Sequence, residues 1–169
     1  MPTDTQWLLR RIRILIAVVI VGLVVSGATA IPLEAELTWF AAVLNSDAFA
    51  WVPAGFVAWV EKVQEGLTAT NAAYPFMAYG TDWLAFGHFV IAIAFIGPWR
   101  DPVRNLWVID FGIISCLLVM PYAFLMGEVR GIPWFWRVID CSFGVLGIIP
   151  LWWCRRLIHQ LAEAEEKSA

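Results

Sequence analysis

Charge is what this sequence has least of. Asp, Glu, Lys and Arg together make up 15% of the chain, where a soluble domain of ordinary composition carries about 25%. The remainder is apolar: 61% of the 169 residues are hydrophobic and the mean hydropathy is +0.74. That balance excludes an ordinary soluble domain and points to a chain whose solvent is lipid. The net charge is −3, so there is no basic excess to neutralise phosphates and nucleic acid is not a partner.

Cysteine and histidine are almost as sparse. Cys116, Cys141 and Cys154 all sit inside apolar runs, with no C-x-x-C spacing. This argues against a disulfide framework or a zinc site and leaves buried thiols that pack as small apolar groups. Of the two histidines, only His88 falls in an apolar run; His159 follows Arg155-Arg156. Bis-histidine haem ligation would therefore need a ligand from another subunit. No Gly-rich phosphate loop, H-E-x-x-H or G-x-S-x-G occurs, which removes the commonest nucleotide, metalloprotease and serine-hydrolase signatures. No cofactor and no metal is expected. Basic residues are nearly missing from 31 to 80, where Lys62 stands alone, so that stretch is not built to capture anionic lipid.

What the chain does have is long uncharged runs. Segments of about 12–30, 81–98, 103–126 and 134–154 are each apolar enough to cross a bilayer, the second being near the lower limit of length. The first also fits a signal peptide, with Arg10, Arg11 and Arg13 ahead of an apolar stretch and an Ala28-Thr29-Ala30 cleavage pattern; the retained helix is the preferred reading. Residues 31–80 differ. Leu33, Leu37, Phe40 and Leu44 form one apolar stripe behind Pro32, Glu34 and Glu36, a good helix start. Phe56, Val60, Val63 and Leu67 form another, with Glu61, Gln64 and Glu65 opposite. Both suit short interfacial helices, and Thr68–Gly80 is expected as a loop. The connections at 99–104 and 127–133 are tight turns, which make antiparallel neighbours. The expected fold is an all-α integral membrane protein of one domain, residues 1–169. It is a four-transmembrane-helix bundle with short extracytoplasmic interfacial helices between the first and second spans and a tail at 155–169.

Arg10, Arg11, Arg13, Arg100, Arg104, Arg155, Arg156 and Lys167 fall on one side of such a bundle, and only Lys62, Arg130 and the embedded Arg137 towards the other. The positive-inside rule makes the first side cytoplasmic. The expectation is a multi-pass plasma (inner) membrane protein with both termini in the cytoplasm. Trp residues cluster near the two predicted interfaces, as aromatic belts do.

The fourth span carries a polar and small-residue seam. Arg137, Asp140, Gly144, Gly147, Leu151 and Cys154 recur at steps of three and four, so they share one helix face that should meet protein rather than lipid. A rise of about 1.5 Å per residue puts His88 and Asp140 at matched depths, roughly 10 and 9 Å from the outer surface. Asp82, Glu128 and Arg130 lie near the same end. Intramembrane ionisable groups are costly unless paired and are functional candidates by default. His88 and Asp140 are the catalytic candidates, as proton shuttle and orienting carboxylate; Asp82, Arg137, Glu128 and Arg130 are the binding candidates. The competing reading is a structural cluster in which Arg137 neutralises Asp140 one turn away. Asp110, about 10 Å from the cytoplasmic side, is expected to pair with Arg100, Arg104 or Arg155.

The preferred function on these grounds is an accessory subunit, or a small-molecule- or lipid-binding membrane component with an outward-facing polar cluster. Its partners would be membrane lipids and other membrane subunits or further copies of itself. The alternative is a membrane-embedded enzyme using His88 and Asp140 on a lipid or isoprenoid, and the third reading is a proton-coupled transporter.

Overall fold

A computed structural model describes residues 2–167, with side chains from residue 5 onward. Met1, Ser168 and Ala169, the two ends of the expected domain and tail, lie outside the described residues. Those described are 88% helical and contain no strand. In chain order the helices are α1 (Pro2–Ala30), α2 (Leu33–Leu44), α3 (Ala54–Ala73), α4 (Tyr79–Ala94), α5 (Ile96–Arg100), α6 (Leu106–Val129) and α7 (Trp134–Glu166), with single 3-10 turns at Asp47–Phe49 and Pro75–Ala78. Four segments are long and apolar enough to cross a membrane: Thr5–Ala30, Pro75–Arg100, Leu106–Val129 and Trp134–Glu166.

The element boundaries show where local chemistry overrides composition. The Thr68–Gly80 loop expected from the sequence is mostly helix. Between Thr68 and Tyr74 there is no Gly or Pro, and the Thr70 hydroxyl donates back to the Gly66 carbonyl at 2.7 Å. Tyr74, extended at φ −140°, ends the helix, as the residue before a proline tends to do. The break between α4 and α5 at Phe95 follows from Pro98, whose ring conflicts with a helical carbonyl at Ala94 and which has no N–H to offer it. Helix α7 continues through Arg155-Arg156 into the tail, where Leu157, Ile158 and Leu161 are buried and keep an apolar face turned inward.

The chain divides into two compact units: residues 23–90, and residues up to 22 together with 91–169. In the first unit α2 and α3 form an antiparallel hairpin. Phe40 meets Phe56 edge to face, with centroids 6.5 Å apart, and Leu44 and Val60 are buried. A carboxylate ties each end of this hairpin. Asn45 Nδ2 donates to Glu61 Oε1 at 2.9 Å beside the turn, and Asn71 Nδ2 donates to Glu34 Oε2 at 2.6 Å at the open end. The last turns of α1 approach α4 closely, for a Cβ on Gly27 would lie 2.8 Å from the Phe89 ring and 3.0 Å from the Ala85 carbonyl.

In the second unit α6 and α7 form a longer antiparallel hairpin around the polar seam. Its closest approach is at Gly144, where a Cβ would lie 2.5 Å from the Cys116 carbonyl oxygen. Gly147 faces the Cys116 thiol, and Gly112 on α6 receives Leu151. Small residues on both sides thus let the two backbones come together. The connecting turn is a Schellman motif: Ile132 N–H donates to Gly127 O at 2.8 Å and Gly131 N–H to Glu128 O at 3.2 Å. Gly131 takes the left-handed conformation this requires, at φ +67°.

Candidate functional site

The turn between α6 and α7 gathers Glu128, Arg130, Arg137 and, one turn further, Asp140. Arg137 folds back over Gly127, whose missing Cβ leaves room for the arginine stem. Its Nε donates to the Ile132 carbonyl at 2.7 Å and its Nη1 to Glu128 Oε2 at 2.7 Å. The Arg137 side chain is 14% exposed, whereas that of Glu128 is 78% exposed. The partner of Arg137 is therefore Glu128 across the turn. Asp140 is half-buried and has no hydrogen bond or ion pair among the described residues. Arg130 is exposed.

The other end of the same hairpin is tied in the same way. Arg155 Nε donates to Asp110 Oδ1 at 2.6 Å. Of the three arginines that could reach Asp110, the one on the facing helix does so. Arg104 instead gives its backbone N–H to Asp101 Oδ1 at 3.0 Å, and Asn105 closes that turn on the carbonyls of Asp101 and Gly97.

In the unit of residues 23–90, Asp82 is exposed on the first turn of α4 and His88 is half-buried two turns on. His88 Nδ1 lies 2.8 Å from the Leu84 carbonyl. A carbonyl can only accept, so the proton sits on Nδ1 and Nε2 is left as the acceptor of the neutral ring. His88 and Asp140 belong to different units, and each is placed only within its own.

A groove that sequence reasoning did not find opens in this unit, between α2 and the end of α3. It has a volume of about 700 Å³ and is bordered by Leu33, Glu34, Thr38, Trp39, Leu67, Asn71 and Thr81 among others. The hydrogen bonds from Asn71 and then from Thr68 hold the Glu34 carboxyl below its ordinary value of 4.5. Asn71 Oδ1 is buried and has no partner among the described residues. The available signal was the lack of basic residues between 31 and 80. This unit holds six Asp and Glu residues against Lys62, a net of −5, while the other unit nets +2. A second open groove, of about 590 Å³, lies along the first turns of α1 beside Arg10, Arg13 and Trp99. There Arg13 Nε donates to the Trp99 carbonyl at 3.3 Å.

Two of the ionisable groups nominated from the sequence, Arg137 and Glu128, are engaged with each other, while Asp140 stands without a donor. Compared with known protein families, curated proteins and solved structures, the chain matches none.

Proposed function

We propose that this chain is a multi-pass inner-membrane protein, with both termini cytoplasmic, that acts as an accessory subunit by contact with another membrane-embedded protein. The observation that carries this reading is Asp140, half-buried on an apolar helix with no donor among the described residues. A carboxylate inside a bilayer is costly unless it is paired, and a donor on a neighbouring chain supplies what this chain does not. The surface of the spans supports the same reading. Phe143 (66% exposed), on the α7 turn after Asp140, and Trp134 (70% exposed), on the one before, offer aromatic area of the kind that anchors interfaces.

The test is purification in mild detergent. Wild-type protein should carry a stoichiometric membrane partner, or a second copy of itself, and Asp140→Leu should lose it while remaining helical and monodisperse. A clean wild-type monomer, or unchanged association of the Asp140→Leu protein, would overturn the reading.

A further inference from the structure

The groove along the first turns of α1 is lined by charge of one sign. Gln6, Arg10, Arg13 and Ala17 recur at steps of three and four, so they form one face of α1, with Trp99 of α5 against it. Arg13 is set in place there. Its Nε donates to the Trp99 carbonyl at 3.3 Å, and its guanidinium carbon lies 5.5 Å from the centre of the Trp99 ring. Those contacts leave the Nη hydrogens of Arg13 unspent. Arg10, one turn earlier, is exposed and has no hydrogen bond or ion pair among the described residues. The ion pairs of the described residues are made by Arg137 and Arg155, and no Asp or Glu among those residues lines the groove. Two guanidiniums thus share one groove without a carboxylate to neutralise them. The polar end stops at Arg13. From Ile14 the chain is uncharged as far as Ala30, and Ile14 and Ala17 carry the groove on as apolar wall.

A ligand complementary to that lining brings an anionic head that accepts guanidinium hydrogens, followed by hydrocarbon. The unesterified oxygens of a phosphate diester take such hydrogens well. A free phosphate leaves the apolar end empty, and a zwitterionic head brings a cation that two arginines repel. From Gln6 to Ala17 the face is about 16 Å long, enough for a phosphate, a glycerol and the first carbons of an acyl chain. We propose that this groove seats one anionic phospholipid, its phosphate between Arg10 and Arg13 and an acyl chain along Ile14 and Ala17. The proposed orientation puts these arginines on the cytoplasmic side, where anionic lipids give the membrane surface its negative potential. The proposal rests on the reading of this chain as a membrane protein, but not on Asp140 or on a partner subunit.

The test is native mass spectrometry of the full chain in maltoside micelles, titrated with phosphatidylglycerol, phosphatidylcholine of the same chains, or glycerol phosphate. One phosphatidylglycerol should be retained ahead of any others. Phosphatidylcholine should bind on the order of tenfold or more weakly, the scale of a lost hydrogen bond to a charged group, and glycerol phosphate should not compete. Arg10→Gln and Arg13→Gln should each weaken phosphatidylglycerol by a similar factor. Arg11→Gln removes the same charge from a side chain outside the groove, stacked 4.0 Å over the Trp7 ring, and should leave the affinity unchanged. Ala17→Phe, which fills the apolar end and keeps both arginines, should weaken binding without any change in charge. Equal loss in Arg11→Gln, equal binding of phosphatidylcholine or full affinity in Ala17→Phe would overturn the proposal. So would displacement by glycerol phosphate, which would give the site to a soluble phosphate compound. A chain that stays soluble without detergent would overturn the membrane reading together with this proposal, whereas detergent-bound protein that retains no phosphatidylglycerol would overturn this proposal alone.

Discussion

Among single residues, Gly144 makes the clearest demand on its surroundings. Any side chain there would collide with the Cys116 carbonyl, a backbone atom that moves only if α6 moves. Gly144→Val should therefore destabilise the α6–α7 hairpin by about 1–3 kcal/mol or more, seen as a lower melting temperature in detergent. Gly22→Val, where a Cβ would meet nothing within 4 Å, should be near neutral. The seam that holds Gly144 was legible from the sequence, because three-and-four spacing of small and polar residues needs only one helix to be read. Which partner each charged residue takes was not. Arg137 had Asp140 within one turn, yet the tight turn brings Glu128 to it instead. Asp110 had three arginines in range, and only the register of two packed helices selects Arg155.

At the scale of the elements, both hairpins are closed at each end by a carboxylate that a partner helix reaches. For α2 and α3 this gives a pH dependence with a definite sign. The Glu34 carboxyl is held below its ordinary value by its bonds from Asn71 and Thr68, so the bond adds stability above pH 4.5. That contribution disappears as the pH falls through the lower folded value. Melting followed by circular dichroism between about pH 3 and 6 should show a component lost on acidification. The component should be missing in Glu34→Gln, and a pH profile identical to wild type would refute the assignment. The hairpin itself was half legible. The stripes Leu33 to Leu44 and Phe56 to Leu67 marked the two helices, while the last turns of α3 were obscured by Thr68, Thr70 and Asn71. These residues favour loops in isolation and here are held by Gly66 and Glu34.

The whole molecule has an uneven distribution of charge: residues 23–90 are acidic, and the remainder, basic. Acidic residues count for little in orienting a membrane chain, so the arginines near both ends should decide the topology. A cysteine placed at Asp47 in a background lacking the three native cysteines should react with an impermeant maleimide on intact cells. One placed at Lys167 should react only after lysis, and the reverse pattern would invert the proposed orientation. The four long apolar helices were legible because lipid-compatible length and composition need no partner to be recognised. The groove was not, since it depends on how α2 and the end of α3 pack against each other.

Helix α7 has one more consequence. Its 33 residues measure about 50 Å, longer than the about 30 Å of hydrocarbon that a spanning helix has to cross. Pro150 lies inside it, and a proline removes one backbone rung and leaves a compliant joint there. On one side of that joint the helix is clamped by the Gly144 contact with α6, and on the other by Arg155 on Asp110. The ion pair thus ties α7 to α6 on the far side of that proline from the Gly144 contact. Leu157, Ile158 and Leu161, buried further along, restrain the same half of the helix.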